Sequence, residues 1–252
     1  MTTRTSIEDG IGRIVLDQPP LNILSQQLLG DLRRDLAALE SETTLRVLIV
    51  SAEGKHFSAG ADVGEHMPPA FEQMIPEFIE TVAMLDSFPL PVVVAVQGRC
   101  LGGGFELAQA ADMIIAGEGA MFGQPEIMLG VLPPAACAVL PDLCAPGRAA
   151  EIVFTGEALN AFDAHQAGLV LRVVADDRLE TEALDLANKI ARHSAAALKV
   201  TKRALRVGLK ESRASAFAAV DKIYVDELMQ TKDAVEGLQA FLDKRKPTWK
   251  HQ

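Results

Sequence analysis

A run of three glycines, Gly102-Gly103-Gly104, follows the apolar segment 91–96 and precedes the helix-compatible segment 105–111. Glycine has no side chain, so the backbone N–H groups of such a turn can lie directly against a ligand. The first N–H groups of the following helix have no partner within the helix and carry a partial positive charge. The pattern therefore predicts a strand, a turn and a helix that together can bind an oxyanion.

Two glutamates lie close to this turn in the sequence, twenty positions apart. Glu106 belongs to the segment after the glycines, and Glu126 ends the run Gly123-Gln124-Pro125-Glu126. Donors for a developing negative charge, together with two carboxylates, are typical of proton transfer at an activated carbonyl. Each glutamate taken alone also fits a structural role, as an acidic residue in the first turn of a helix.

The composition indicates a globular protein. The chain has 252 residues, of which 49% are hydrophobic, and a net charge of −10. Such a chain can bury a full core as one large domain, or as one domain with an appendage. The acidic balance argues against nucleic-acid binding.

Basic residues nevertheless cluster between positions 199 and 213. The pattern fits either a solvated helix face or a site for a phosphate-bearing small ligand. The cluster consists of Lys199, Lys202, Arg203, Arg206, Lys210 and Arg213.

The spacing of cysteine and histidine does not favour a disulfide framework or a metal site. Cys100, Cys137 and Cys144 are odd in number and form no CxxC pair, and no two histidines stand four residues apart on one predicted helix. No segment reaches about 18 uninterrupted apolar residues, and the first residues contain no secretory signal. We therefore expect no metal, no membrane span and a cytoplasmic location.

Hydrophobic periodicity predicts alternating strands and helices in the first half of the chain. A helix is expected after Ser25 as its N-cap, and another over 70–87, broken or kinked at Pro76. From residue 176 to 243 the pattern is helical, with Gly208 as a C-cap. The alternation predicts an α/β fold with parallel strand pairing. Strands are expected at four apolar segments: 11–17, 45–50, 92–96 and 113–116.

Five segments in order carry a resemblance that spans nearly the whole chain: FSAGAD at 57–62, GRCLGGGFELA at 98–108, FGQPE at 122–126 with LG at 129–130, TG at 155–156 with AGLV at 167–170, and FLDKRK at 241–246. They resemble the crotonase (enoyl-CoA hydratase/isomerase) superfamily. The resemblance implies an α/β fold of the ClpP/crotonase type, a spiral of ββα units with a C-terminal helical region. We expect the core at residues 1–190 and a helical trimerisation region at residues 191–252.

The resemblance also implies roles for particular residues. The N–H groups of Ala61 and Gly103 would form the oxyanion hole for an acyl-CoA thioester, and Glu106 and Glu126 would be the two carboxylates typical of hydratases. Coenzyme A is then part of the substrate, and no other cofactor is expected. The remaining implied residues bind the coenzyme A portion, the last two from a neighbouring subunit of a trimer or of a hexamer built as a dimer of trimers: Pro20, Leu21, Ala59, Asp62, Val63, Phe241 and Lys244.

The implied reaction is the addition of water to a conjugated acyl-CoA, or the reverse dehydration. We assign Glu106 to deprotonate the water and Glu126 to supply the proton to the acyl carbon, with the reverse assignment open. An isomerase needs one carboxylate only, and many isomerases, dehalogenases and hydrolases of the superfamily keep one or neither. A Clp-type serine peptidase is disfavoured because Phe105 and Glu106 stand where its serine is expected. A non-catalytic RNA-binding role, known for some relatives, has only the basic cluster in its favour.

Two departures from the common superfamily pattern bear on the substrate. The segment Leu132-Pro133-Pro134-Ala135-Ala136-Cys137 replaces a glycine-rich turn, and we expect it to stiffen and fill the wall near the acyl group. The pair Pro19-Pro20 replaces a single proline. Both departures are similar to the hydratases that act on cyclohexa-1,5-dienecarbonyl-CoA in the degradation of aromatic compounds. A general 2-enoyl-CoA hydratase of fatty-acid β-oxidation and an enoyl-CoA isomerase remain alternatives.

Overall fold

Two β-sheets form the frame of the protein. The computed structural model describes residues 1–211 and 213–252, without the side chains of Lys210, Arg213 and Ala214. The strands, in chain order, are β1 (Thr3–Glu8), β2 (Ile11–Leu16), β3 (Val47–Ala52), β4 (Val92–Val96), β5 (Arg99–Leu101), β6 (Met113–Gly117), β7 (Met121–Gly123), β8 (Leu159–Asn160) and β9 (Arg172–Val174).

The larger sheet has the strand order β1-β2-β3-β4-β6-β9. The pair β1 and β2 is antiparallel, and the following pairs are parallel, as the alternation of strands and helices predicts. The smaller sheet has the order β5-β7-β8. In the chain, β5 follows β4 directly and β7 follows β6 directly, so the chain passes twice from the larger sheet to the smaller one. Every predicted strand forms, with bounds shifted by up to two residues. The sequence did not predict β1, β5, β7, β8 or β9, which are short or polar.

The helices, in chain order, are α1 (Gln26–Glu40), α2 (Phe71–Asp86), α3 (Gly103–Gln109), α4 (Pro134–Leu143), α5 (Pro146–Thr155), α6 (Ala161–Gln166), α7 (Leu179–Ala191), α8 (Ala195–Lys210), α9 (Arg213–Lys222) and α10 (Lys232–Leu242). The N-cap at Ser25 is confirmed, because its hydroxyl accepts a hydrogen bond from the Leu28 N–H at 3.3 Å. Short 3-10 turns lie at Gly64–His66, Pro125–Leu129, Asp176–Arg178 and Leu228–Gln230, and a π-helical segment at Ile223–Glu227.

Two expectations about helices differ from the structure, one of them in part. The expected break at Pro76 is wrong, because α2 continues through it, with Met74 and Phe78 on either side buried in the core. A kink at Pro76 stays a prediction. Gly208 does not end α8, which continues to Lys210. A glycine inside a helix costs only about 1 kcal/mol relative to alanine, and so it does not end a helix by itself.

Both faces of the larger sheet are buried. Leu48 and Val50 of β3 pack into the main core, together with residues of α1 and α2. Val47 and Ile49 point to the other face and pack in a second cluster with α7. Because side chains alternate across a strand, a continuously apolar strand is the pattern expected for this two-sided burial. The smaller sheet and α3 then extend from this frame and carry the glycine turn.

The C-terminal helical region is attached to the core by ion pairs. Lys202 of α8 is 6% exposed, and its Nζ donates to the Leu90 carbonyl at 2.9 Å and to Asp112 Oδ2 at 2.6 Å. Arg206 pairs with Asp86 at 2.6 Å, and within the helical region itself Arg203 pairs with Glu227. These basic residues therefore bind carboxylates of the same chain, which fits a structural role. The side chains of Lys210 and Arg213 lie outside the described residues.

Two observations bear on the expected absence of a membrane span and of a metal site. Within residues 1–211 and 213–252, no helix is both long and apolar enough to cross a membrane. In the same ranges, no three His, Cys, Asp or Glu side chains form a group that could hold a metal ion. The three cysteines are free thiols. The division at residue 190 and the trimerisation role of residues 191–252 stay predictions.

Candidate active site

The loop after β3 and the glycine turn after β5 lie side by side. Ser58 forms a backbone bridge with Cys100, in which the Leu101 N–H donates to the Ser58 carbonyl at 3.0 Å. Gly102 has a φ of +51° and precedes α3, so the N–H of Gly103 is the first of that helix. A Cβ on Gly103 would lie 3.3 Å from the Ala61 nitrogen. The structure therefore brings together the two predicted N–H donors, and neither has an acceptor among the described residues.

Glu106 lies in the first turn of α3 and is 2% exposed. Its Oε1 accepts hydrogen bonds from the Ala135 N–H at 2.7 Å and the Ala136 N–H at 2.9 Å. These donors belong to the first turn of α4, where N–H groups have no partner within the helix. Burial raises the pKa of Glu106 to about 8, against the lowering effect of the two N–H groups, and the nearby charge of Glu126 adds to the rise.

Glu126 lies on the 3-10 turn that follows β7 and is half-buried. Burial raises the pKa of this carboxyl to about 7. The amide of Gln124 is 0% exposed, and its polar atoms are all matched when its nitrogen faces Glu126. In that orientation the nitrogen donates to Glu126 Oε2 and to the Gly102 carbonyl, both at 3.2 Å, and the oxygen accepts from Gln109 Nε2 at 3.3 Å. Gln124 thus orients Glu126.

A cavity of about 240 Å³ contains both glutamates and both predicted oxyanion donors in its wall. Most of the remaining wall is apolar, including Met67, Met74, Ile75, Phe78, Leu129 and Leu132. Two carboxyl groups with raised pKa values in one cavity can hold a proton between them near neutral pH. The cavity therefore combines N–H donors for a carbonyl oxygen, an acid–base pair and room for an apolar group.

The predicted residues for the coenzyme A portion are not all in this cavity. Ala59 and Val63 line it, and Leu21 lies next to it because its carbonyl accepts from the Ala59 N–H at 2.9 Å. Asp62 accepts from the Gly64 N–H at 2.7 Å and so fixes the following turn, while Pro20 is exposed at the surface. Their contact with coenzyme A stays a prediction.

Phe241 and Lys244 do not line the cavity. Phe241 lies in the last turn of α10 and is 81% exposed, and Lys244 is exposed two residues beyond that helix. The expectation that they reach coenzyme A bound by a neighbouring subunit stays a prediction.

The segment expected to fill the wall has a second role. Leu132 and Pro134 line the cavity, as expected. The backbone of Ala135 and Ala136 also holds Glu106, which the sequence did not predict. Cys137 follows Ala136 directly, and burial together with the charges of the two glutamates raises the pKa of its thiol. The segment therefore connects the shape of the wall to the position of one carboxylate.

Comparison with known proteins shows the family and the fold of this chain. Residues 6–252 match the model of the family described as "Enoyl-CoA hydratase/isomerase". The chain is 38% identical over 241 residues to cyclohexa-1,5-dienecarbonyl-CoA hydratase of Thauera aromatica, covering 95% of this chain and 93% of that protein. It is 37% identical to 2,3-dehydroadipyl-CoA hydratase of Escherichia coli (strain K12), covering 94% of each. The crystal structure of an enoyl-CoA hydratase from Bacillus anthracis is similar over 100% of both chains, with a TM-score of 0.95 and 33% identity.

Proposed function

This chain belongs to the enoyl-CoA hydratase/isomerase family, and on that basis we propose that it adds water to a conjugated, unsaturated acyl-CoA thioester or catalyses the reverse dehydration. The observation that carries the proposal is the shared cavity of Glu106, Glu126 and the N–H groups of Ala61 and Gly103. An isomerase needs one carboxylate to move a proton between two carbons. Two carboxylates in one cavity are what is needed to hold a water molecule and to transfer its proton.

The first step is polarisation of the thioester carbonyl. Its oxygen accepts hydrogen bonds from the Ala61 and Gly103 N–H groups, and negative charge moves onto it in an enolate-like transition state. One donor of this kind contributes about 3 kcal/mol to transition-state stabilisation. Because both donors are backbone groups in a largely apolar cavity, they need little reorganisation when the charge develops.

Proton transfer needs one ionised and one protonated carboxyl group. In the assignment made from the sequence, Glu106 takes a proton from water as the water adds to the acyl carbon, and Glu126 protonates the neighbouring carbon. Both carboxyl groups have a raised pKa, so the pair can hold one proton in the empty site, and both assignments fit this arrangement. Either way, the groups act as a pair and exchange roles for dehydration.

We propose cyclohexa-1,5-dienecarbonyl-CoA as the substrate. The 38% identity to a hydratase named for it supports this choice, as does the wall built by Leu132 and Pro134 at the start of α4. A proline at the start of a helix is rigid and gives the cavity a fixed shape. A general 2-enoyl-CoA substrate is the second candidate, because other relatives of similar identity are named enoyl-CoA hydratases.

We also propose a homo-oligomer in which α10 of one subunit approaches the coenzyme A bound by another. The exposed apolar side chains at the end of α10, Phe241 and Leu242, support this arrangement. Size-exclusion chromatography with light scattering measures the mass directly. A monomer with full activity would contradict it.

The test of the reaction is a panel of acyl-CoA thioesters with mass detection of water addition. We expect the cyclic dienoyl-CoA to gain one water molecule. Turnover of crotonyl-CoA without turnover of the cyclic dienoyl-CoA would replace the proposed substrate with a linear 2-enoyl-CoA. A double-bond shift without a gain in mass would identify an isomerase, and no reaction with any member would refute the proposed reaction.

A further inference from the structure

One polar side chain in the cavity wall has no part in the mechanism above. His66 lies on the 3-10 turn Gly64–His66, five residues after Ala61, and is one of the residues that line the cavity. The turn is fixed at both sides. The Gly64 N–H donates to Asp62 Oδ1 at 2.7 Å, and Glu65 Oε2 accepts from the Gln26 N–H of α1 at 2.9 Å. His66 therefore has a defined position in the wall.

The hydrogen bonding of the ring fixes which nitrogen carries the hydrogen. His66 Nδ1 lies 2.8 Å from the Asp62 carbonyl oxygen. A carbonyl oxygen only accepts hydrogen bonds, so Nδ1 must be the donor of this pair. In the neutral ring Nε2 then has a lone pair and no hydrogen. Among the described residues no group donates to it.

The side chains that line the same cavity as His66 are mostly apolar. Met67 follows His66 directly, and Met74, Ile75 and Phe78 of α2 line the same cavity. An acyl chain that contains only carbon and hydrogen beyond its thioester carbonyl leaves Nε2 without a hydrogen-bond donor. The hydrated form of the same acyl group carries a hydroxyl, which is the donor that Nε2 lacks.

We propose that His66 is a specificity-determining residue whose Nε2 accepts a hydrogen bond from the hydroxyl of the hydroxyacyl-CoA, the hydrated partner of the reaction. The inference rests on the proposed function in assuming that the ligand is an acyl-CoA thioester. His66 then favours the hydroxylated thioester over the unsaturated or saturated one. The expected contribution is about a tenfold preference in affinity, the size of one hydrogen bond of about 1.4 kcal/mol.

The experiment is calorimetric titration in a Glu106→Gln/Glu126→Gln background, in which the thioesters are not turned over. The probes are two matched pairs: 2-hydroxycyclohexane-1-carbonyl-CoA with cyclohexane-1-carbonyl-CoA, and 3-hydroxybutyryl-CoA with butyryl-CoA. The linear pair keeps the test independent of the cyclic substrate.

Two variants of His66 are compared in this background. His66→Leu removes the acceptor, and His66→Gln restores one through its amide oxygen. The control is His165→Leu, since His165 makes the same kind of bond, from Nδ1 to the Val170 carbonyl at 2.8 Å, outside the cavity.

We expect the preference for the hydroxylated member of at least one pair to fall about tenfold in His66→Leu and to return in part in His66→Gln. His165→Leu should leave the preference unchanged. If His66→Leu weakens both members of each pair equally, His66 is only part of the wall and the proposal is wrong. Because binding is measured without turnover, failure of the proposed hydration in the mass panel is a separate result.

Discussion

Glu106 and Glu126 share one cavity but are held by different kinds of partner. Glu106 accepts from two backbone N–H groups of α4, whereas Glu126 faces the side-chain amide of Gln124, which Gln109 supports in turn. A backbone N–H donor remains with every residue except proline at its position. The position of Glu106 is therefore set by the packing of α3 against α4, and the position of Glu126 depends on two particular glutamines.

The largest effect is expected from removing either carboxylate. Glu106→Gln and Glu126→Gln should each lower kcat for hydration by about 10³-fold, because general acid–base catalysis contributes about 10²–10⁴-fold per group. Steady-state rates of water addition measure this loss, with the exposed Glu118→Gln as the control. Near-normal activity in one of the two variants would show that a single carboxylate is enough, as in an isomerase.

A methyl group on Gly102 should damage the Glu126 side of the pair. A Cβ there would lie 2.7 Å from Glu126 Oε1, and the φ of +51° is unfavourable for alanine. We expect Gly102→Ala to lower kcat by about 10²-fold through displacement of this carboxylate and of the turn that presents Gly103. Gly147→Ala is the matched control, because nothing lies within 4 Å of its added Cβ. Unchanged kcat in Gly102→Ala would mean that Glu126 does not need its observed position.

Removing the amide next to Glu126 should have a smaller effect. Gln124→Met leaves the carboxylate without its side-chain donor, and loss of one such hydrogen bond costs about 1–3 kcal/mol. We expect kcat to fall about tenfold or more, and by less in Gln109→Leu, which acts through Gln124. The Gln124 amide favours the ionised form of Glu126, so its loss should raise the pKa of that carboxyl. The pH profile of kcat should therefore move to higher pH in Gln124→Met. A purely structural role would lower thermal stability without moving the pH profile.

The smallest effect is expected on the pH dependence of the free energy of unfolding, to which Glu106, the more buried carboxylate, should contribute more than Glu126. The pKa of Glu106 is raised from 4.5 to about 8 by folding, so the folded state keeps its proton longer than the unfolded state. The protonated Glu106 carboxyl thus makes its full contribution to the free energy of unfolding below about pH 4.5, and this contribution is lost as the pH rises to about 8. Between pH 5 and pH 9, wild type should lose about 2–4 kcal/mol relative to Glu106→Gln in urea unfolding. The corresponding difference for Glu126→Gln should be smaller, and equal differences would contradict the unequal burial.

The sequence predicted the elements whose signals are local. Apolar runs mark β3 and β4, and Ser25 with its following leucines marks α1. The smaller sheet has no such signal, because β5 pairs with β7 through residues such as Cys100 and Phe122, which are twenty-two positions apart. Strands of two or three residues are defined by such distant partners and not by their own composition.

The same distinction applies to the site. The motifs predicted that Ala61, Gly103 and the two glutamates lie together, and the structure places all four in one cavity. The motif around Gln124 predicts no role for this residue, since only its complete burial beside Glu126 reveals one. His66 had no sequence signal beyond its distance of five residues from Ala61. The segment 132–137 predicts a wall alone, because the sequence does not show that α3 and α4 touch.

The backbone bridge between Ser58 and Cys100 has an evolutionary consequence. It fixes the loop of Ala61 against the turn of Gly103 through main-chain hydrogen bonds, and the two donors are themselves backbone groups, so only a substitution by proline would delete either N–H. Lineages that carry this arrangement can accumulate changes in the acyl wall while the reaction centre is inherited intact. Changes at wall residues that hold neither glutamate, such as Met67 and Ile75, can then alter the substrate without a new origin of the chemistry.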